Sequence, residues 1–270
     1  MKKMKSHLMI FYYKNGGEKM YRIKVCGIKT EQELDIVCRN RIYGVSAVGF
    51  ITGARYETPD EISPEKAGYF LSKLPHDLLG VIVTHLNDFQ GIEKLLKNVL
   101  GSYKACSSRS LSAIALQLQD CVSAGDIKKI KTFYPPVFIV KAVHIPEGDV
   151  SDTELRDIVH LAGEYAESAD LILLDSKTES RIGGTGKVHN WEISRIVVES
   201  LKPFPVVLAG GLNPENVEDA VFSVRPFGVD ANSGLKDGSG FKNEKKVRDF
   251  FIKAARALAE VDRNEEGDSC

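Results

Sequence analysis

From Tyr21 onward, short β-branched apolar runs alternate with longer stretches whose apolar residues recur at helical spacing. That is the pattern of repeated strand–helix units building a parallel sheet. The short runs predict strands near Arg22 to Cys26, Ala47 to Ile51, Leu79 to Val83, Ile114 to Leu118, Phe138 to Ala142, Leu171 to Asp175, Val206 to Ala209 and Gly228 to Asp230. Between them, amphipathic stretches predict helices over Glu31 to Asn40, Pro64 to Leu74, Gly91 to Val99, Glu154 to Glu167, Trp191 to Ser200, Pro214 to Phe222 and Glu244 to Leu258. Ser63-Pro64 offers an N-cap followed by proline at the first helical position, and Asn213-Pro214-Glu215 repeats the arrangement.

Eight strand–helix units in about 250 residues fit a closed (β/α)₈ barrel. An open doubly wound sheet uses the same alternation, but with fewer strands and often a glycine-rich turn after the first. Here the glycine clusters follow the sixth, seventh and eighth strands, and none spells G-x-G-x-x-G after the first. The sequence therefore reads as α/β, a single-domain (β/α)₈ TIM barrel over residues 20–262, with a poorly ordered N-terminal extension, 1–19, and a flexible acidic tail, 263–270.

Composition narrows the function classes. The 270 residues include 36 basic and 37 acidic side chains, a net charge of -1 that gives no overall field to recruit nucleic acid or an anionic membrane. Aromatic residues are 8% of the chain and are not interleaved with basic ones, which further disfavours nucleic acid. Cys26, Cys38, Cys106, Cys121 and Cys270 are scattered and form no C-x-x-C pair, as expected in a reducing compartment. The apolar runs fall short of the ~20 residues of a membrane span. The patch Leu8 to Tyr13 is too short for a signal-peptide core and lacks a small-residue cleavage site, so a cytoplasmic location is expected. The histidines form no H-x-x-x-H pair; His85 and His144, near strand ends, read as solvated or packed, and no metal is expected.

In such a barrel the chemistry comes from the C-terminal ends of the strands and the loops that follow. That rule selects Cys26, ending the first strand, and Asp175, closing the apolar run Leu171 to Leu174 at the end of the sixth. It also selects two glycine loops, Ala209-Gly210-Gly211-Leu212 and Asn232-Ser233-Gly234. Glycine lets backbone N–H groups approach an anion closely, and loops after strands seven and eight recur as phosphate cradles. Each feature has a structural alternative: Gly210-Gly211 as a tight turn, Cys26 as a small buried hydrophobe. Together they suggest a base and an acid on one phosphorylated substrate, since a thiol can lose its proton and a desolvated carboxyl can keep one. That is isomerase chemistry.

With K-V-C-G-I-K, I-L-L-D-S-K, G-G-T-G-K-V-H-N-W and A-G-G-L-N-P-E-N-V in that order, the chain resembles the phosphoribosylanthranilate isomerases of tryptophan biosynthesis, from about Tyr21 to near Leu258. The resemblance implies an Amadori rearrangement of N-(5-phosphoribosyl)anthranilate without metal or organic cofactor. Asp175 matches the family's acid and Cys26 its base. Arg55, in A-R-Y, matches the arginine that pairs with the anthranilate carboxylate; Asp230 matches the aspartate ending the eighth strand; Gly183, Gly184 and Gly186 match the loop after the sixth. The implied partner is a small phosphorylated substrate, with neither nucleic acid nor membrane, and the implied state is a monomer or homodimer. Two departures fall on the active-site face. Gln119 stands where the family commonly has histidine in Q-L-H-G, and Lys236 where it commonly has glutamate in V-D-V-S-S-G-V-E. Extra residues also lengthen 101–112 and 144–153. Two other functions therefore stay in view: a barrel isomerase or epimerase on another sugar phosphate, and a non-catalytic barrel that binds a phosphate ligand.

Overall fold

The computed structural model describes residues 21–107, 110–178, 181–182 and 190–267. Strands and helices alternate along them: β1 (Ile23–Val25), α1 (Glu31–Asn40), β2 (Ala47–Ile51), α2 (Pro64–Lys73), β3 (Leu79–Thr84), α3 (Phe89–Cys106), β4 (Ile114–Leu118), α4 (Ala124–Phe133), β5 (Phe138–Pro146), α5 (Asp152–Ala166), β6 (Leu171–Thr178), α6 (Trp191–Leu201), β7 (Val206–Leu208), α7 (Val217–Val224), β8 (Gly228–Ala231) and α8 (Glu244–Gly267). Each strand pairs in parallel with the next, and β8 pairs with β1, so the sheet closes into the expected (β/α)₈ barrel. Arg181–Ile182 turns back on β6 as a short antiparallel segment.

The alternation of the strands sorts side chains between two cores. Ile23 and Val25 of β1 point outward into the large core between sheet and helices, with Val48, Phe50, Leu116, Ile172 and Leu174. Cys26 points inward, with Ala47, Val81, Ala115, Ala142, Leu173 and Val207. Several inward residues are small, which leaves room on the axis for large polar ones. A Cβ at Gly49 would lie 2.9 Å from both Cys26 Sγ and Lys24 Cε.

Local signals set the helix starts. Thr30 with Glu33 and Ser151 with Glu154 form capping boxes for α1 and α5, and Ser63 caps α2 ahead of Pro64 as expected. At Asn213-Pro214 the structure differs from the expectation. Asn213 Oδ1 accepts from the N–H groups of Glu215 and Asn216, closing a turn, and α7 begins only at Val217. Part of the lengthened 101–112 region is an extension of α3, whose buried apolar stripe continues through Leu100 and Tyr103 before the helix ends at Cys106. At the other end of the chain α8 runs to Gly267, into the segment expected as a flexible tail. The N-terminal extension, 1–19, lies outside the described residues. Among the described residues no helix is long and apolar enough to cross a membrane.

Candidate active site

The C-terminal ends of the strands open onto one cleft, lined by Cys26, Gln117, Gln119, Asp175 and Asp230, by Gly210 and Gly211, and by Asn232, Ser233 and Lys236. It thus brings together most of the residues selected from sequence. Cys26 follows β1 and Asp175 sits on β6, with β7 and β8 between them in the barrel wall.

Beneath Cys26 lies an ion pair that sequence reasoning did not find. Lys24 and Asp230 occupy paired register positions on β1 and β8, and their side chains, 0% and 6% exposed, meet in a salt bridge. Burial works against the Lys24 charge, but Asp230 and Cys26 outweigh it and hold the ammonium above its ordinary pKa. Burial pushes the Cys26 thiol up, and the ammonium opposes that rise. The signal was available in part: Lys24 is two residues before Cys26, so both must face the axis.

Asp175 is the end of a buried hydrogen-bonded chain. Tyr21 Oη donates to Gln117 Oε1 at 2.9 Å, Gln117 Nε2 to Gln119 Oε1 at 2.9 Å, and Gln119 Nε2 to Asp175 Oδ2 at 2.7 Å. The backbone N–H of Ser176 donates to Asp175 Oδ1 at 2.9 Å. Burial first, and the nearby charge of Asp230 second, push the Asp175 carboxyl up to about 6 despite these donors. Gln119, the amide that departs from the family's histidine, thus acts directly on this carboxyl. The backbone carbonyl of Gln119 accepts from His144 Nε2 at 2.8 Å.

The glycine loops adopt shapes that only glycine takes without strain. Gly210 and Gly211 have φ of 82° and 68°, and a Cβ at Gly210 would lie 2.2 Å from Ser176 Oγ. Gly234 lets the β8 loop reach the β7 loop, since a Cβ there would sit 2.1 Å from the Leu212 carbonyl oxygen. Ser233–Leu235 forms a short 3₁₀ turn. Gly183, Gly184 and Gly186 lie outside the described residues.

Arg55 does not line the cleft. Its guanidinium is half exposed and pairs with Asp120 at 3.1 Å, while the residues that line the cleft from this loop are Tyr56 to Asp60. His85, expected to be solvated or packed, is a buried residue of the cleft wall bonded to the Tyr56 hydroxyl; burial pushes its pKa down to about 4, so it is a neutral imidazole. No group of three or more His, Cys, Asp or Glu among the described residues is placed to hold a metal ion.

Comparison with known proteins agrees with this architecture. The family model described as N-(5'-phosphoribosyl)anthranilate (PRA) isomerase matches residues 140–253. N-(5'-phosphoribosyl)anthranilate isomerase 2 of Methanosarcina mazei is 32% identical over 242 residues, which are 89% of this chain and 96% of that protein. The crystal structure of the phosphoribosyl anthranilate isomerase from Thermotoga maritima superposes with a TM-score of 0.66 at 29% identity, covering 88% of this chain and 100% of the other. A phosphoribosyl anthranilate isomerase in complex with reduced 1-(o-carboxyphenylamino)-1-deoxyribulose 5-phosphate matches with a TM-score of 0.63 at 26% identity, over 88% of this chain and 100% of that one. With a barrel, a cleft and near full-length relatives in agreement, the chain is an enzyme that belongs to the N-(5'-phosphoribosyl)anthranilate isomerase family.

Proposed function

We propose that this chain catalyses the Amadori rearrangement of N-(5-phosphoribosyl)anthranilate to 1-(2-carboxyphenylamino)-1-deoxyribulose 5-phosphate, as a cytoplasmic step of tryptophan biosynthesis. One observation carries the assignment of roles. A carboxyl held near pKa 6 and a thiol beside a buried ammonium share one cleft, Asp175 from β6 and Cys26 from β1. Protonated Asp175 donates to the furanose ring oxygen; the C1–O bond breaks as the nitrogen lone pair forms the iminium. Cys26 thiolate then removes the proton from C2, and the C–H electrons form the C1=C2 bond of a neutral enaminol. Loss of the enol proton and protonation of C1 give the ketone, so the reaction is redox-neutral overall.

The remaining groups bind. Asp230 offers Oδ1, buried and without a hydrogen-bond partner among the described residues, to the substrate N–H. The backbone of Gly210, Gly211, Ser233 and Gly234, with the Asn232 side chain at its edge, receives the phosphate. Turnover of freshly generated phosphoribosylanthranilate, followed as loss of anthranilate fluorescence, tests the reading. A folded protein without turnover would overturn it. A barrel isomerase or epimerase acting on another sugar phosphate is the second reading, favoured by the pairing of Arg55 with Asp120 outside the cleft.

A further inference from the structure

The cleft wall between the β2 and β8 loops holds charges that the chemistry above does not use. Asp60, 3% exposed, is surrounded by donors: Lys29 Nζ at 3.2 Å, Asn232 Nδ2 at 3.1 Å, and Lys236, which reaches both carboxylate oxygens. Burial opposes its ionisation, but Lys236 and Asn232 outweigh burial and hold the carboxyl below the usual range. Behind it, Lys242 Nζ donates to Asn232 Oδ1 at 2.7 Å and to the Asn232 carbonyl at 2.8 Å. Among the described residues that line the cleft, Lys236 is the one lysine or arginine. Arg55, which the family resemblance marks for the aromatic carboxylate, is turned away toward Asp120.

We propose that Lys236 receives the carboxylate of the substrate's aromatic ring, exchanging Asp60 for it, and so makes this chain selective for arylamines that bear an acid. The inference rests on the isomerase reading above. Exchange is physically accessible because Asp60 keeps Lys29 and Asn232 as partners when Lys236 leaves. The long flexible stem of a lysine permits the swing, and its compact charge suits one oxygen of a carboxylate. Asp60 keeps Lys236 parked at the cleft until substrate arrives. A glutamate at 236 would instead put a second carboxylate against Asp60, so the identities of these two positions are coupled through their charge.

Binding of two reduced product analogues to the full-length protein, measured by calorimetry, separates the possibilities. One carries the 2-carboxyphenylamino group, the other phenylamino without the acid; both carry the phosphate. Lys236→Met is expected to weaken the carboxylated analogue by about tenfold to a hundredfold, as for loss of a charged hydrogen bond, and to leave the other unchanged. Lys236→Arg, which keeps the charge and Asp60's partner, should stay within a few fold of the parent. Equal weakening of both analogues by Lys236→Met would assign the lysine to the phosphate, and no weakening would assign it to Asp60 alone; either overturns the proposal. Carboxylate-selective binding in a parent that fails to turn over phosphoribosylanthranilate would instead support this site while overturning the isomerase reading.

Discussion

Replacing Lys24 by methionine tests whether the buried pair under Cys26 supports both the fold and the proposed base. Its two side chains are 0% and 6% exposed and meet across paired positions of the first and last strands, so water does not replace a lost partner. Removing one member of such a pair costs about 3–5 kcal/mol, because the other charge stays buried. Lys24→Met should therefore lose about that much in urea unfolding at neutral pH. The loss should shrink on acidification as Asp230 takes up a proton. The double variant Lys24→Met/Asp230→Asn removes both charges and should recover most of the stability, giving a coupling of about 3 kcal/mol. The chemistry should not recover with it. Without the ammonium, burial of Cys26 is opposed only by the more weakly acting Lys242 and its pKa climbs further, so the alkaline limb of kcat/KM moves to higher pH. A single variant destabilised by less than about 1 kcal/mol, the range of an exposed pair, would refute the argument. So would a double variant that regains the parental pH profile.

Three further outcomes follow from the same groups. Under the proposed roles the competent form has Asp175 protonated, with a pKa near 6, and Cys26 ionised, with a pKa above its ordinary value near 8.5, a minority form; kcat/KM should climb about tenfold per unit to pH 6, stay level, and fall beyond the thiol pKa. A narrow bell peaking near pH 6 would contradict this. Asp175→Asn should be more stable than the parent above pH 6: a carboxyl raised to about 6 when folded contributes stability below about pH 4 that is lost as pH rises through 6, up to about 3 kcal/mol. Thermal melts at pH 8 and pH 3.5 check it, the gap closing at the lower pH. Gly49→Ala should cut kcat at least about tenfold with a smaller change in KM, since its Cβ would meet Cys26 Sγ and Lys24 Cε, each at 2.9 Å; parental kcat would show that the base tolerates displacement.

The barrel and the convergence of Cys26 and Asp175 on one cleft were legible because they rest on local signals: apolar runs of strand length, and a polar residue closing such a run. Cys26 directly follows β1, and Asp175 closes the apolar run Leu171 to Leu174, although β6 itself continues to Thr178. Helix α4 was not found, because its buried face among strongly polar neighbours is only Ile127 and Ile130, too few for a period to emerge. The start of α7 was misplaced because Asn213 has the chemistry of a helix cap and uses it on an isolated turn. The Lys24–Asp230 pair depends on the register between the first and last strands, which no local pattern encodes. Arg55 and Asp60 share one loop, and which of them faces the cleft is decided by partners far along the chain, Asp120 for the first and Lys236 for the second.

The most direct test of the central claim is kcat for phosphoribosylanthranilate in the parent beside Cys26→Ala and Asp175→Asn, each shown to be folded. If Cys26 takes the C2 proton and Asp175 supplies the ring-oxygen proton, both variants should fall by about a thousandfold or more. Parental rates in either variant would remove that residue from the chemistry and contradict the account.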